Sequence, residues 1–336
     1  MTDTAGLPAR NPLSRALRFG GRETGVALAL VVMCLVLTVL NDRFLTPGNL
    51  LNIGRQVSLI GIMAVGMTFV LVSGEVDLSV GSTYALAGLS TGLVIIGGHG
   101  LIPALIVGLV VGAVIGIING LLSTYGRLPS LIATLGMLSM VRGAALILTD
   151  GQPVTVNERN GALEGPLAQF EFMGQGTLGG VPMQLIFFIL IAAAGWFLLS
   201  RTAFGFRVFA VGGNTKAARV SGISVERVKI AAFALMGTLA AFAGILSLAF
   251  LPSGQAGRTG MGLELDVIAA TIVGGTSLSG GEGTIIGTIL GVLIIGVLRN
   301  GLVLTGVSPF AQEFLIGLVI VVAVAIDKWT VSERRV

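Results

Sequence analysis

One cysteine, one histidine and little charge set the first limits on this chain. A lone Cys34 excludes an intrachain disulfide and a thiolate metal cluster, and its place in the first apolar run makes it a packing residue. His99, alone in the polar break GGHG, reads as a solvated turn residue, so no metal site is expected. Neither GxxxxGKS nor GxxxxGKT occurs, which excludes ATP binding and hydrolysis through that phosphate loop. No soluble catalytic constellation is visible, so no catalytic residue is expected and any ATP dependence must come from another chain. Only 11% of the 336 residues are charged, against about 25% in soluble globular domains.

What is present is oil and glycine. Hydrophobic residues make up 54% of the chain and the mean hydropathy is +0.97, the composition of an all-α integral membrane protein. Between Asp77 and Arg127 lie 49 residues without Asp, Glu, Lys or Arg. As helix at about 1.5 Å per residue they reach roughly 74 Å, more than twice the bilayer core of about 30 Å, so this segment crosses at least twice. Apolar runs fall at about 24–40, 56–73, 80–97, 101–122, 128–148, 181–199, 230–251, 264–278, 284–304 and 310–326, which predicts about ten spans, some short or broken. The eighth is the weakest, because its uncharged core over 267–278 is nearer a broken or re-entrant element than a crossing. The first run follows four arginines but no small-residue cleavage site, so it reads as a retained span rather than a signal peptide.

Charge placement tests this count. With a cytoplasmic N-terminus and ten spans, fourteen of the 20 basic residues lie inside: the four N-terminal arginines, Arg127, Arg201, Arg207, Lys216, Arg219, Arg227, Lys229, Lys328, Arg334 and Arg335. Four lie outside, Arg43, Arg55, Arg159 and Arg258, as the positive-inside rule expects. The division is then a cytoplasmic tail over 1–23, one transmembrane domain over 24–327 and a cytoplasmic tail over 328–336. An acidic loop over 149–180 faces out. The net charge of +4 therefore reports topology and not nucleic-acid binding. The stretch 201–229 gathers the basic residues in one cytoplasmic loop, which reads as a surface shown to something inside the cell. Within it Asn214 or Thr215 can cap a short helix holding Lys216, Ala217, Ala218 and Arg219, entered from Gly212-Gly213 and ended by Gly222.

Glycine numbers 51. Gly108, Gly112, Gly116 and Gly120 recur every four residues in the fourth run, and Gly283, Gly287 and Gly291 in the ninth. That spacing predicts close helix packing rather than contact with a solute. SGEVDLSVGS from Ser73 and SGGEGTIIGT from Ser279 form a weak internal echo. Charges at span edges are costly unless paired or wetted, which makes Glu75, Asp77, Glu264, Asp266 and Glu313 candidates to line a pathway. Asp77 reads first as a helix cap or first-turn acid, whereas for Glu264, Asp266 and Glu313 pairing and pathway lining stay level. Arg142 and Arg299 lie near span ends and can snorkel to the interface. Asn119, Thr134, Ser139, Asn300 and Gln312 suit a neutral polyol, and no mid-span chain of acids marks a proton or sodium route. Phe310 completes the pathway candidates.

The segments SGEVDLSVGS (73–82), GFRVFAVGGNTKAARVSGI (205–223), ELDVIAATIVGGTSLSGGEGTIIGT (264–288) and RNGLVLTGVSPFAQEFLIGLVIVVAVAID (299–327) resemble the permease subunit of ribose-type sugar importers of the ATP-binding-cassette class. The likeness runs from about residue 45 to the C-terminus, and the same superfamily includes branched-chain amino-acid permeases. It implies a type II importer-like permease of ten helices, paired with an identical or closely related second permease. The other implied partners are a cytoplasmic ATPase with two nucleotide-binding cassettes, holding ATP and magnesium, and a periplasmic sugar-binding protein. No cofactor is implied on this chain. It also implies that Gly205, Arg207, Gly212, Gly213, Asn214, Lys216, Ala217, Ala218, Arg219, Gly222 and Ile223 belong to the coupling-helix region over 200–229. Glu75 stands where the family often has glycine, and Glu282 where a basic or polar residue is frequent. A branched-chain amino acid, a nucleoside or a sugar-like signalling molecule remains an alternative cargo, and a stand-alone carrier or channel a remote one.

Overall fold

The computed structural model describes residues 21–308, 311–312, 314–315, 317–318 and 321. Phe310, Glu313, most of the tenth apolar run and the tails over 1–20 and 322–336 lie outside the described residues. The α-helices described over their full extent follow in order: α1 (Gly21–Leu40), α2 (Pro47–Val72), α3 (Val80–Ile96), α4 (Leu101–Thr124), α5 (Ser130–Thr149), α6 (Glu164–Gln175), α7 (Met183–Arg201), α8 (Ala203–Gly213), α9 (Thr215–Val220), α10 (Val225–Phe250), α11 (Leu263–Val273) and α12 (Ile285–Leu304). Seven of them, α1, α2, α4, α5, α7, α10 and α12, are long and apolar enough to cross a membrane.

The bundle is built around α2 and α10. From Ile60 to Ser73 the side chains of α2 are buried on every face, the pattern of a helix enclosed by others. Helix α10 packs along α4, α3 and α2, and α2 also contacts α12, α7 and α11. By contrast α1 keeps Leu28, Leu35 and Val39 exposed, and α5 does the same with Ile132, Met140 and Ile147. An apolar outer surface of this kind matches a hydrocarbon surround.

Close approach comes from glycine where expected, with one exception. A Cβ at Gly112 would stand 2.3 Å from Gly237 O and one at Gly116 would stand 2.1 Å from Phe233 O, so α4 and α10 touch backbone to backbone. Gly108 faces Thr91 and Ile245, and Gly120 faces Ile230. Gly287 and Gly291 meet Gly274 O and Ala270 O in the same way. Gly283 does not belong to this stripe. Helix α12 begins at Ile285 behind the Thr284 cap, leaving Gly283 in the non-helical segment before it with φ +157°, beside the Thr276 side chain.

Several boundaries move because polar residues that close a hydropathy window are paired inside the protein. Helix α2 starts at Pro47, nine residues before the apolar run, with proline in the first turn; its Asn49 donates to Phe44 O. Helix α10 starts at Val225, so Arg227 and Lys229 lie on a helix rather than in a loop. The eighth run contains only the 11-residue α11, about 16 Å long at 1.5 Å per residue, and non-helical backbone follows to Thr284. In the 149–180 segment, α6 buries Leu167, Phe170 and Gly174, and Val154–Thr155 pairs antiparallel with Ser253–Gly254.

Candidate functional site

The stretch 201–229 is mostly helix. Helix α7 ends at Arg201 and α8 starts two residues later, with Thr202 Oγ1 accepting from Gly205 N at 3.3 Å. Gly205 permits this elbow, since a Cβ there would lie 1.9 Å from Leu199 O. Gly212 and Gly213 are the last residues of α8 rather than a loop entering α9. Asn214 then caps α9, its side chain accepting from Ala217 N at 3.0 Å. Gly222, at φ +83°, closes the other end, where Ile223 N donates to Ala218 O at 3.0 Å. Ala218 is buried at the base of this knob, while Arg207, Lys216, Ala217 and Arg219 are exposed. Val220 is 91% exposed and Phe206 70%, so the charged surface also carries two bare apolar side chains.

The end of α8 is wedged between two helix breaks. The first is the segment 73–79 after α2, and the second is 274–284 between α11 and α12. A Cβ on Gly212 would come 1.7 Å from Val72 O and 2.7 Å from Gly281 N, and Gly281 N itself donates to Val72 O at 2.8 Å. Gly280 would meet Gly74 Cα at 2.8 Å and Gly212 O at 3.0 Å if it carried a Cβ. The two halves of the sequence echo therefore touch each other, and both touch α8. Lys229 ties the start of α10 to the same place through an ion pair with Glu75, both side chains being largely buried.

Beyond Glu75 lies a buried polar cluster. Asp77 is 2% exposed and accepts from Ser79 N at 2.8 Å and Ser79 Oγ at 2.7 Å. Asn119 Nδ2 donates to Ser79 Oγ at 2.8 Å and lies 3.4 Å from both carboxylate oxygens of Asp77. Thr134 Oγ1 accepts from Leu78 N at 3.0 Å. Ser79, not Asp77, occupies the cap position of α3; Asp77 stands two residues earlier and fixes the turn that leads into it.

The other candidates lie apart from this cluster. Asp266 accepts from Arg299 Nη2 at 2.9 and 2.8 Å, so Arg299 pairs inward instead of snorkelling. Asn300 and Asn49 exchange side-chain hydrogen bonds at 3.0 and 2.8 Å. Gln312 Nε2 donates to Val307 O at 2.8 Å. Arg142 also turns inward, to Ala256 O at 2.8 Å and to Thr259 O. Glu264 Oε2 is buried without a hydrogen-bond partner. The sequence missed the links from Lys229 to Glu75 and from Arg142 to residues 256–259, although an arginine inside an apolar run was a signal that something must satisfy it. Among the described residues no group of three or more His, Cys, Asp or Glu side chains is placed to hold a metal, and His99 is exposed.

Long apolar helices, glycine-mediated packing, broken helices at one end and buried polar pairs define a polytopic membrane transport protein. Residues 49–324 match the family described as branched-chain amino acid transport system / permease component, and the chain belongs to that family. It is 44% identical over 316 residues to the ribose import permease protein RbsC of Bacillus subtilis, covering 94% of this chain and 96% of that protein. It is 41% identical over 301 residues to the RbsC of Escherichia coli K12, covering 89% and 92%. Against the L-arabinose ABC transporter permease protein AraH of Azospirillum brasilense the identity is 36% over 313 residues, covering 93% and 89%. No solved structure matches the chain. A permease subunit moves solute and catalyses no covalent step, so this chain is a transport component rather than an enzyme.

Proposed function

We propose that this chain is the membrane-spanning permease subunit of an ATP-binding-cassette importer that carries a monosaccharide of the ribose or arabinose kind into the cell. The observation that carries this reading is the near full-length similarity to permeases named for ribose import. A pentose also suits a chain whose buried polar groups are largely uncharged Ser, Thr and Asn side chains. The family description makes a branched-chain amino acid the second reading; the sugar names of the relatives place it behind.

In this account the domain over 24–327 crosses an inner membrane ten times, with both tails and the 200–229 segment cytoplasmic and the 149–180 segment periplasmic. A second copy or close paralogue completes the pathway, a periplasmic binding protein delivers the sugar, and a two-cassette ATPase supplies ATP and magnesium. Helix α9 is the coupling helix. Its exposed Lys216, Arg219 and Val220 meet the ATPase, and Ala218 seats it on the bundle. Movement passes through Gly212 to the breaks at 73–79 and 274–284, where rigid helices can change their relative angle without stretching a continuous hydrogen-bond ladder. Glu75 and Asp77 with Asn119 at this end, and Glu264, Asp266, Asn300 and Gln312 toward the other, are the groups we assign to the pathway and its walls, and Phe310 and Glu313 are assigned with them from the sequence alone.

The test is reconstitution into vesicles with the cognate ATPase and binding protein. Accumulation of labelled ribose or arabinose that requires all three components is expected. Uptake that proceeds without the ATPase, or uptake of leucine in place of sugar, would refute this assignment.

A further inference from the structure

At the end of the bundle opposite α9, a cavity of about 190 Å³ lies between α3 and α10 beneath residues 251–260. The two helices cross on glycine beside it: a Cβ at Gly88 would stand 2.7 Å from Gly244 O, and one at Gly244 would stand 2.0 Å from Tyr84 O, so the backbones themselves form part of its wall. Tyr84 is 4% exposed, and its phenol interacts with the Ser247 side chain in the cavity wall. Thr259 and Ser253 line the opposite side. No charged side chain is in the lining, which is made of hydroxyls, glycine backbone and apolar side chains such as Leu89 and Leu248.

The roof over this space is held by Arg142 on α5, which reaches Ala256 O at 2.8 Å and also Thr259 O. Beside the roof, Glu264 Oε2 is buried with no hydrogen-bond partner, close to where a Cβ on Gly81 would sit. An arginine inside an apolar helix costs free energy unless its charge is satisfied. Here it is used on two carbonyls of the loop that closes the cavity, with the Glu264 carboxylate nearby as its counter-charge.

We propose that this cavity is a subsite for a neutral polyhydroxylated solute of monosaccharide size, with Tyr84 and Ser247 as its hydrogen-bonding side chains and residues 251–260 as its cover. A charged solute would enter without a counter-charge and lose its hydration. A purely apolar one would leave the hydroxyls of Tyr84 and Ser247 with nothing better than each other. A sugar matches both halves of the lining, presenting hydroxyls to these side chains and C–H faces to Leu89 and Leu248. The ligand class rests on the proposed function; the location of the subsite does not.

The experiment uses the complete transporter in vesicles, carrying Cys34→Ala to remove the only native thiol and Ser247→Cys to place one in the cavity. A small hydrophilic thiol reagent is expected to label the new cysteine, and D-ribose or L-arabinose at ten times its half-saturating level is expected to slow labelling about tenfold, as simple site occupancy gives. Absence of labelling, or labelling that sugar does not slow while uptake persists, would overturn the subsite. Where Ser247→Cys does not assemble, Thr259→Cys at the cover is put to the same two criteria. Protection by a pentose that the vesicles do not accumulate supports the subsite and contradicts the proposed function; neither uptake nor protection contradicts both.

Discussion

Replacing Gly212 by alanine puts a methyl carbon where Val72 O would lie 1.7 Å away and Gly281 N 2.7 Å away. Both neighbours are backbone atoms, so no side-chain rotation relieves the overlap and α8 must retreat from the two helix breaks. Overpacking of this kind costs about 1–3 kcal/mol. The helix propensity of alanine returns at most about 1 kcal/mol of this. Gly213, the next residue, is the internal control: a Cβ there meets nothing within 4 Å, and the substitution gains the same propensity without the clash. Uptake and binding-protein-stimulated ATPase activity in vesicles, alongside thermal stability in detergent, separate the two. Gly212→Ala is expected to lower coupled uptake about five- to 150-fold relative to Gly213→Ala, the rate equivalent of about 1–3 kcal/mol, with Gly213→Ala within about twofold of the unmodified chain. Equal uptake by the two variants would refute the claim that the contact of Gly212 with Val72 and Gly281 carries the movement.

The pair formed by Lys229 and Glu75 gives a second prediction. Lys229→Met strands a carboxylate that is largely buried and is expected to destabilise the detergent-solubilised protein by about 3 kcal/mol; adding Glu75→Gln should recover most of the lost melting temperature, and failure to recover any would show that the two side chains act independently. Asn214→Ala removes the cap of α9 and is expected to cost about 1 kcal/mol locally. Hydrogen exchange should therefore speed up over residues 215–220 alone, and unchanged exchange there would show that the cap does not hold the helix.

What the sequence made legible follows from which forces act locally. Hydropathy sees the bilayer, so α1, α4, α5, α7 and α12 fall close to their apolar runs. Caps and turn glycines act within a few residues, so the Asn214 to Gly222 helix could be read directly. Long-range pairing acts against both signals. Lys229 and Glu75 are 154 residues apart, and Arg299 and Asp266 pair across two helices. A window that treats charge as the end of a span therefore starts α10 too late and sends Arg299 to the interface. Helix α8 was hidden because Gly205, Gly212 and Gly213 suggest a loop, whereas Gly205 and Gly212 serve close backbone approach. Gly283 failed in the opposite sense: its spacing continues a helical stripe, but the Thr284 cap starts α12 after it. The pathway candidates were scattered because residue type alone does not say which polar groups already satisfy one another, as Asn300 and Asn49 do.

The central claim is that α9 is the surface through which an ATPase drives this chain. Co-purification of the ATPase with the permease, before and after Val220→Glu together with Lys216→Glu, tests it most directly, because both side chains are exposed and their loss leaves the buried seat at Ala218 intact. The account predicts that the double variant inserts into the membrane and melts like the unmodified chain but loses the ATPase on purification. Full retention of the ATPase by a normally folded variant would contradict it.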